Sequence, residues 1–273
     1  MVKILDGKKV AEEIKQSLKS DFDLLTKKPR LTIVQVGDDS RSNIYIKRKI
    51  LFGEEIGAKV NLKKFSEDIH EEDLIKEIEK INQDEEVDGI IIQLPIPNHL
   101  DKNKIIESIN INKDVDGLKV GSKFIPATAR GVISLLKFYG IGISGKKVTV
   151  LGRSALVGAP IAKLMEDSGA KVTVCHSGTE DLVIPCKDAD IIISAVGKKN
   201  LIDKNHVKPG QIVIDVGINP SIDSVEDKPR IVGDVNFREV VNIVDAISPV
   251  PGGVGPMTVA SLFLNLSDSY YNK

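Results

Sequence analysis

The sequence contains few of the residues that mark secreted or metal-binding proteins. Only Cys175 and Cys186 are cysteines, and the four histidines show no ligand spacing with them. A structural zinc site uses about four such ligands at short, regular spacings, so we expect no metal site. Cys175 ends a predicted strand and Cys186 lies in a predicted helix, which argues against a structural disulfide. We therefore expect a reduced, cytoplasmic protein.

The charge balance and the hydropathy of the sequence exclude further classes of protein. Its 38 Lys and Arg residues nearly balance 39 Asp and Glu residues, which leaves a net charge of −1. We therefore expect no overall attraction to nucleic acid or to an anionic membrane. No apolar run reaches membrane-spanning length, and the first residues lack the apolar segment of a signal peptide. The 273 residues suffice for two domains of a globular protein.

The stretch from Lys147 to Ser177 predicts a nucleotide-binding unit. An apolar run at 148–151 ends at Gly152, a helical pattern covers 157–167, and a second apolar run covers 171–175. This order and a length of about 30 residues are typical of two parallel strands joined by a crossover helix. The N-terminus of such a helix favours a phosphate group. An ordinary crossover that binds no ligand stays open as the alternative.

The loop of this unit matches the dinucleotide fingerprint only in part. The usual G-x-G-x-x-G pattern begins at Gly152, but Ser154 replaces the second glycine and the last is displaced to Gly158. Two details favour NADP over NAD. The second strand is followed by His176–Ser177 and not by the carboxylate that binds a ribose 2′-hydroxyl, and Arg153 is available for a 2′-phosphate.

The remaining patterns alternate between strand and helix, which predicts two α/β blocks with mostly parallel sheets. The first block ends near Gly117 and the second near Pro249. Ligands bind beyond the carboxyl ends of strands in such sheets, so we expect an active-site cleft between the blocks. The predicted strands are 31–36, 59–65, 89–94, 148–151, 171–175, 190–195, 212–216 and 245–248, and the main predicted helices are 8–25, 42–55, 71–82, 102–109, 131–139, 157–167 and 257–269.

Four motifs contain residues suited to chemistry or to ligand contact, and each also has a purely structural explanation. A basic helical face can simply be solvated, a buried amide can bond neighbouring loops, and polar or Pro/Gly segments can be plain turns or hinges. The residues alone leave both explanations open. The motifs are the helical face of Ser42, Tyr45 and Lys49, the amide of Gln93, the turn Asp114–Gly117 and the segment Pro249–Pro256.

Together these motifs resemble the bifunctional methylenetetrahydrofolate dehydrogenase/cyclohydrolase family. Seven segments match the family pattern in the family's order and extend over nearly the whole sequence, an agreement that chance would not produce. The segments are SNxYxxxK at 42–49, QLPxP at 93–97, KDVDG at 113–117, GRSxxVGxP at 152–160, CHSxT at 175–179, GDV at 233–235 and PVPGGVGPMT at 249–258.

The resemblance implies a fold, a reaction and partners. The fold is α/β, with a folate-binding domain of residues 1–117 plus 251–273 and a Rossmann-like NADP-binding domain of residues 118–250. The reaction is NADP-dependent oxidation of 5,10-methylenetetrahydrofolate to the methenyl compound, followed by hydrolysis to 10-formyltetrahydrofolate, in one-carbon metabolism and purine biosynthesis. The implied partners are tetrahydrofolate derivatives and a second copy of the chain, with no nucleic acid and no membrane.

By position in the matched motifs, the resemblance also implies roles for individual residues. Lys49 is the principal catalytic residue and works with Gln93, Tyr45 stacks on the folate rings, and Asp116 anchors the pterin. The expected folate site consists of Tyr45, Lys49, Gln93, Asp116, Pro249 and Gly253. The expected NADP contacts are Gly152, Arg153, Ser154, Ser177 and Ile218, with Thr128 and Gly197 nearby.

The sequence departs from the family pattern around the expected cofactor site. Residues 126–131 read PATARG where the family usually has PCTPxG, and Val216 stands where a cysteine is common. These departures concern cofactor affinity and Thr128, not Lys49. A monofunctional dehydrogenase of the same family and a catalytically silent nucleotide-binding module remain alternatives. A shikimate-type dehydrogenase would leave the segments around Gln93 and Pro249–Thr258 unexplained.

We expect faster turnover with NADP than with NAD at equal concentration, because Arg153 can pair with a 2′-phosphate and no carboxylate follows the second strand. Initial rates with the two cofactors in one assay test this prediction. An equal or higher rate with NAD would contradict it.

Overall fold

Buried apolar runs of the sequence form parallel strands, and amphipathic segments form the helices between them. The structure is a computed structural model that describes residues 2–222 and 229–272. The chain divides into two compact units, which we name after their sheets. The three-stranded unit comprises Glu12–Ala127 and Val259–Lys273, and the six-stranded unit comprises Met1–Ala11 and Thr128–Thr258.

The three-stranded unit is a parallel sheet in the order β3-β2-β4, with β2 (Arg30–Val36) in the middle and buried except at its first residue. Successive residues of a strand point to opposite faces, so Ile33 and Val34 enter two separate hydrophobic clusters. Helices therefore cover both faces, as predicted. The elements are β2 (Arg30–Val36), α2 (Ser40–Glu55), β3 (Lys59–Phe65), α3 (Glu71–Gln83), β4 (Gly89–Ile92) and α4 (Lys102–Glu107).

The six-stranded unit is a parallel sheet in the order β1-β11-β8-β7-β5-β6, within the described residues. Its central strands β5, β7 and β8 are buried, whereas most of edge strand β6 is partly or fully exposed. The elements are β1 (Lys3–Ile4), α5 (Ala127–Phe138), β5 (Lys147–Leu151), α6 (Gly158–Asp167), β6 (Lys171–Cys175), α7 (Val183–Asp188), β7 (Ile191–Ser194), β8 (Ile212–Asp215), β9 (Asn219–Ile222), β10 (Pro229–Val232), α8 (Phe237–Val240) and β11 (Ala246–Ile247).

Two long helices link the units along the chain. Both α1 (Gly7–Asp23) and α9 (Val254–Tyr271) begin in the six-stranded unit and end in the three-stranded unit. Helix α9 starts three residues earlier than predicted, because Pro256 lies in its first turn, where a missing N–H costs no hydrogen bond. No helix in the described part of the chain combines the length and the apolar character needed to cross a membrane.

The predicted α/β class with parallel sheets is confirmed, but short strands were missed. Strand β1 contains only two residues, both exposed, so it has no alternation of apolar and polar residues from which it could be predicted. Strands β9 and β10 form an antiparallel hairpin outside the parallel sheet. Strand β11 is shorter than the predicted segment 245–248.

Polar side chains on the buried face of α9 fasten it to the rest of the three-stranded unit. Asn265 Nδ2 donates to the carbonyl oxygens of Val115 at 2.8 Å and Ile125 at 2.9 Å. Ser269 Oγ donates to the carbonyl oxygen of Asp88 at 2.7 Å. These bonds satisfy backbone groups that apolar residues would leave unpaired. They also hold the loop on either side of Asp116.

We expect Asn265→Ala to destabilise the protein by about 2–4 kcal/mol, because one buried and one partly buried carbonyl lose their side-chain donor. Thermal denaturation should show a melting temperature lower by about 5 °C or more. Asn272→Ala is the matched control, since this exposed residue makes one local bond to the carbonyl of Asp268. Similar shifts in the two variants would contradict the role of Asn265.

Candidate active site

Helix α2 presents three polar side chains on one face in the three-stranded unit. It begins just after β2, where Gly37 adopts a φ of +77° and Asp39 caps the helix by accepting from the Ser42 backbone N–H at 2.9 Å. Spacings of three and four residues then align Ser42, Tyr45 and Lys49. The helix start is therefore what places these side chains near the carboxyl ends of β2 and β4.

A direct hydrogen bond joins Lys49 to Gln93. Lys49 Nζ donates to Gln93 Oε1 at 3.0 Å. Gln93 follows β4 directly, its backbone N–H donates to the Val34 carbonyl at 2.8 Å, and its Nε2 donates to the Leu94 carbonyl at 2.7 Å. Because Nε2 is occupied in this way, the amide oxygen is directed at the lysine. Two of the predicted catalytic residues are thus brought together.

Burial and the carboxylate of Asp116 act in opposite directions on Lys49. Removal from water lowers the pKa of Lys49, and the nearby negative charge of Asp116 partly offsets this. Burial likewise raises the pKa of Asp116, and Lys49 partly offsets that shift. Both groups are therefore easier to neutralise than in water. An amine whose pKa is lowered in this way gives up its proton more readily than an ordinary lysine and can serve in proton transfer.

The turn that carries Asp116 is built by the preceding aspartate. Asp114 is fully buried and its carboxylate accepts the backbone N–H groups of Leu118 at 3.3 Å and Lys119 at 2.9 Å. Gly117 has a φ of +71°, and a Cβ there would lie 2.7 Å from the Phe124 carbonyl oxygen. The plain-turn interpretation of this motif therefore holds for Asp114, whereas Asp116 is the member that acts on Lys49.

Tyr45 and Ser42 complete this face of α2. The Tyr45 ring is partly buried and lies 5.6 Å from the Arg48 guanidinium carbon, and burial raises the pKa of its hydroxyl. The Ser42 hydroxyl is buried and has no hydrogen-bond partner among the described residues. An unpaired buried hydroxyl is costly and indicates a place for a polar ligand atom or water. The sequence analysis placed Ser42 on this face but assigned it no role in the site.

The expected NADP contacts lie along one edge of the sheet in the six-stranded unit. Gly152, Arg153 and Ser154 follow β5, and Ser177, Gly197 and Ile218 come soon after the ends of β6, β7 and β8. All these strands are parallel neighbours, so their carboxyl ends share that edge. Thr128 is not in one of these turns but at the start of α5, and its hydroxyl is 3.4 Å from that of Thr258.

The turn after β5 fits a phosphorylated ligand. Gly152 has a φ of +104°, and a Cβ there would lie 2.4 Å from the Ala195 carbonyl oxygen. A Cβ on Gly158 would lie 2.2 Å from the Gly152 carbonyl oxygen, so α6 begins directly against the turn. Arg153 and Ser154 are exposed beside this helix N-terminus. An exposed guanidinium cation beside the positive end of a helix suits an anionic group.

The turns after β6 and β11 also have defined geometry. The His176 backbone N–H donates to Thr179 Oγ1 at 3.0 Å, which leaves Ser177 exposed at the tip of the turn. The Gly253 backbone N–H donates to the Pro249 carbonyl at 2.7 Å. Pro249 and Gly253, predicted to line the folate site, thus lie in one tight turn of the six-stranded unit. Tyr45, Lys49, Gln93 and Asp116 belong to the three-stranded unit.

Two family models match the chain. The catalytic domain of tetrahydrofolate dehydrogenase/cyclohydrolase matches residues 5–116, and the NAD(P)-binding domain of the same family matches residues 126–273. A relative from Agathobacter rectalis, the bifunctional protein FolD, is 43% identical over 277 residues that cover 97% of this chain and 98% of the relative.

Two solved structures have closely similar folds. The bifunctional FolD enzyme of Campylobacter jejuni is 41% identical with a TM-score of 0.95, covering 100% of this chain and 99% of that chain. The methylenetetrahydrofolate dehydrogenase-cyclohydrolase of Trypanosoma brucei, solved with NADP cofactor and inhibitor, is 33% identical with a TM-score of 0.95. The match covers 99% of this chain and 98% of that one.

We expect Lys49 to titrate below an ordinary lysine, and Asp116→Asn to lower its pKa further, because the variant removes the charge that favours the ammonium form. NMR of protein labelled with ¹³C at lysine Cε measures this directly, with the Lys49 signal assigned by its loss in Lys49→Arg. Asp73→Asn, which removes an exposed partner of Lys76, is the control and should leave Lys49 unchanged. A pKa that rises or stays constant in Asp116→Asn would refute the coupling.

Proposed function

Since the chain belongs to the tetrahydrofolate dehydrogenase/cyclohydrolase family, we propose that Lys49, Gln93, Asp116 and Tyr45 are its catalytic residues. The enzyme oxidises 5,10-methylenetetrahydrofolate to 5,10-methenyltetrahydrofolate with NADP and hydrolyses that product to 10-formyltetrahydrofolate. The observation that carries the proposal is the 3.0 Å bond between Lys49 Nζ and Gln93 Oε1, beside a carboxylate that shifts the lysine pKa.

The oxidation requires positioning more than acid or base chemistry. Bound NADP⁺ would supply the acceptor for the hydride of the methylene carbon. The methenyl product is a cation, so no proton has to be abstracted and the protein needs mainly to align two rings. The proposed cofactor contacts are Gly152, Arg153, Ser154, Ser177, Ile218, Thr128 and Gly197, and the proposed folate contacts are Tyr45, Lys49, Gln93, Asp116, Pro249 and Gly253.

The hydrolysis requires proton transfers, and Lys49 is suited to perform them. Water attacks the methenyl carbon and passes one proton to the neutral Lys49 amine as the C–O bond forms. The tetrahedral intermediate then loses its hydroxyl proton to solvent, the bond from carbon to N5 breaks, and N5 receives the proton from Lys49. The lowered pKa of Lys49 favours both transfers, because the neutral amine forms more readily than in an ordinary lysine. Gln93 holds the amine in place through its amide oxygen.

We also propose which parts of the chain bind folate and which bind NADP. Residues 1–117 plus 251–273 bind folate, and residues 118–250 bind NADP. Both cysteines are buried free thiols, and burial raises the pKa of the Cys186 thiol to about 12, which leaves it protonated and unreactive. These thiols support a cytoplasmic location, where 10-formyltetrahydrofolate serves one-carbon metabolism and purine biosynthesis.

Absorbance measurements that follow NADPH and the methenyl compound separately test the proposed roles. We expect NADPH to form from 5,10-methylenetetrahydrofolate with little methenyl accumulation, and hydrolysis of added methenyl compound to be accelerated. Lys49→Met should lose about 10²-fold or more of the hydrolysis but remain folded and bind NADP. Lys47→Met is the control, because Lys47 is exposed on the same helix and points away from Gln93. Full hydrolysis by Lys49→Met would refute the catalytic role, and methenyl build-up in the unmodified protein would favour a dehydrogenase alone.

We propose a homodimer formed through the six-stranded unit, by way of its edge strand β6. An unpaired strand edge with apolar side chains favours association with a second chain, and Val174 on β6 is 39% exposed. Sedimentation should give twice the chain mass of 29.7 kDa. Val174→Lys should weaken the dimer, whereas Val120→Lys, at an 84% exposed position in the other unit, should not. A monomeric unmodified protein at micromolar concentration would overturn the proposal.

A further inference from the structure

A buried carboxylate in the six-stranded unit accepts hydrogen bonds from three consecutive backbone N–H groups. Asp234 is fully buried, just after the hairpin β9–β10. Its Oδ2 accepts the N–H groups of Val196 at 2.8 Å and Gly197 at 3.1 Å, and its Oδ1 accepts that of Lys198 at 2.9 Å. The loop that follows β7 is therefore curled around one side chain from elsewhere in the chain.

The same carboxylate also binds two side chains on neighbouring segments. Ser194 Oγ, at the end of β7, donates to Asp234 Oδ2 at 3.1 Å. Asn219 Nδ2, at the start of β9, donates to Asp234 Oδ1 at 2.9 Å. Five donors surround one carboxylate, which makes it a fully paired buried anion. The loop after β7 and the segment after β8 are consequently fixed relative to each other.

A second aspartate holds the segment that carries Asp234. Asp215, the last residue of β8, accepts the N–H groups of Asp234 at 3.0 Å, Val235 at 2.9 Å and Gly217 at 2.9 Å. Burial, with Asp234 beside it, raises the pKa of Asp215 to about 7 despite these three bonds. A Cβ on Gly233 would lie 1.8 Å from Asp215 Oδ2, so the segments are in close contact.

This arrangement meets the proposed cofactor site at two points. Gly197 lies in the loop that Asp234 organises, and Ile218 directly precedes Asn219. The N–H groups of residues 196–198 are already occupied by Asp234, so they are not available to a phosphate. By contrast, Arg153 and Ser154 are exposed beside a helix N-terminus. The loop after β7 therefore contributes shape to the cofactor site, and the turn after β5 contributes charge.

We infer that Asp234 is a positioning residue for NADP, which fixes the backbone around Gly197 and Ile218 in the conformation that the cofactor contacts. The inference rests on the proposed function, because Gly197 and Ile218 are proposed and not established contacts. It assigns to the GDV segment at 233–235 a role toward the cofactor that its residue types alone do not suggest.

Calorimetric titration of NADP into variants of the full chain tests the inference. In Asp234→Asn an amide NH₂ faces groups that are themselves donors, so the loop after β7 loses its geometry. We expect the Kd for NADP to rise about tenfold or more. In steady-state assays KM for NADP should rise likewise, while KM for 5,10-methylenetetrahydrofolate changes less than about twofold. Combining Asp234→Asn with Asn219→Asp should recover part of the affinity, because the exchange restores a donor–acceptor pair.

Asp190→Asn is the matched control. Asp190 also accepts a backbone N–H, that of Lys147 at 2.9 Å, but it lies at the amino-terminal edge of the same sheet. This variant should lower the melting temperature and leave the NADP affinity within about twofold. A loss of stability in Asp234→Asn with an unchanged Kd for NADP would overturn the inference, as would equal losses of NADP and folate affinity.

Arg153→Ala separates failure of this inference from failure of the proposed cofactor site. If Arg153→Ala weakens NADP binding and Asp234→Asn does not, the site stands and the role of Asp234 is refuted. If neither variant changes the affinity, the proposed site is wrong and the inference fails with it. Weakening by both variants, with Asp190→Asn unchanged, supports the inference.

Discussion

Parallel strand pairing is the constraint on which the placement of the polar residues depends. Parallel neighbours deliver their carboxyl ends to one edge of a sheet, so residues far apart in sequence meet there. In the three-stranded unit this brings Gln93, after β4, to the helix that follows β2 and hence to Lys49. In the six-stranded unit the same rule gathers the turns after β5, β6, β7 and β8. The strand order therefore determines which polar side chains meet, and their residue types then determine what chemistry they can perform.

The two units use buried charge in different ways. Asp234 is surrounded by five donors, and a carboxylate so fully paired is fixed in place and serves the shape of its surroundings. Within the described part of the chain, Lys49 Nζ donates to a neutral amide, and burial works against its charge. A group whose ionised form is opposed by its surroundings changes protonation readily, which is a requirement for proton transfer and a cost for stability. A fully hydrogen-bonded buried charge thus suits a structural role, and a partly paired one suits proton transfer.

Much of the fold follows from periodicity. The crossover unit of β5, α6 and β6 was predicted with bounds that agree within one residue, because β-favouring residues fill both strands and glycines follow the first strand and the helix. The strands that were missed lack such a signal. Strand β1 has two exposed residues and is held by pairing with β11, which is distant in sequence. Because the pairing partner of β1 is nearly the whole chain away, no local sequence pattern marks this strand. Hydrogen bonding to β11, and not the intrinsic propensity of its residues, makes the segment a strand.

The residues of the candidate site also differ in how far the sequence predicts them. The four-residue spacing of Tyr45 and Lys49 is enough to predict that they share one face of a helix. Local pattern does not distinguish Asp114 from Asp116, because both occur in one short polar turn, and it was the family resemblance that singled out Asp116. The structure assigns the turn to Asp114 and the coupling with Lys49 to Asp116. Asp234 was still harder to detect, because most of its partners are backbone N–H groups. Every residue except proline supplies such a group, so a carboxylate that organises a loop through them leaves no side-chain pattern by which a sequence can be recognised.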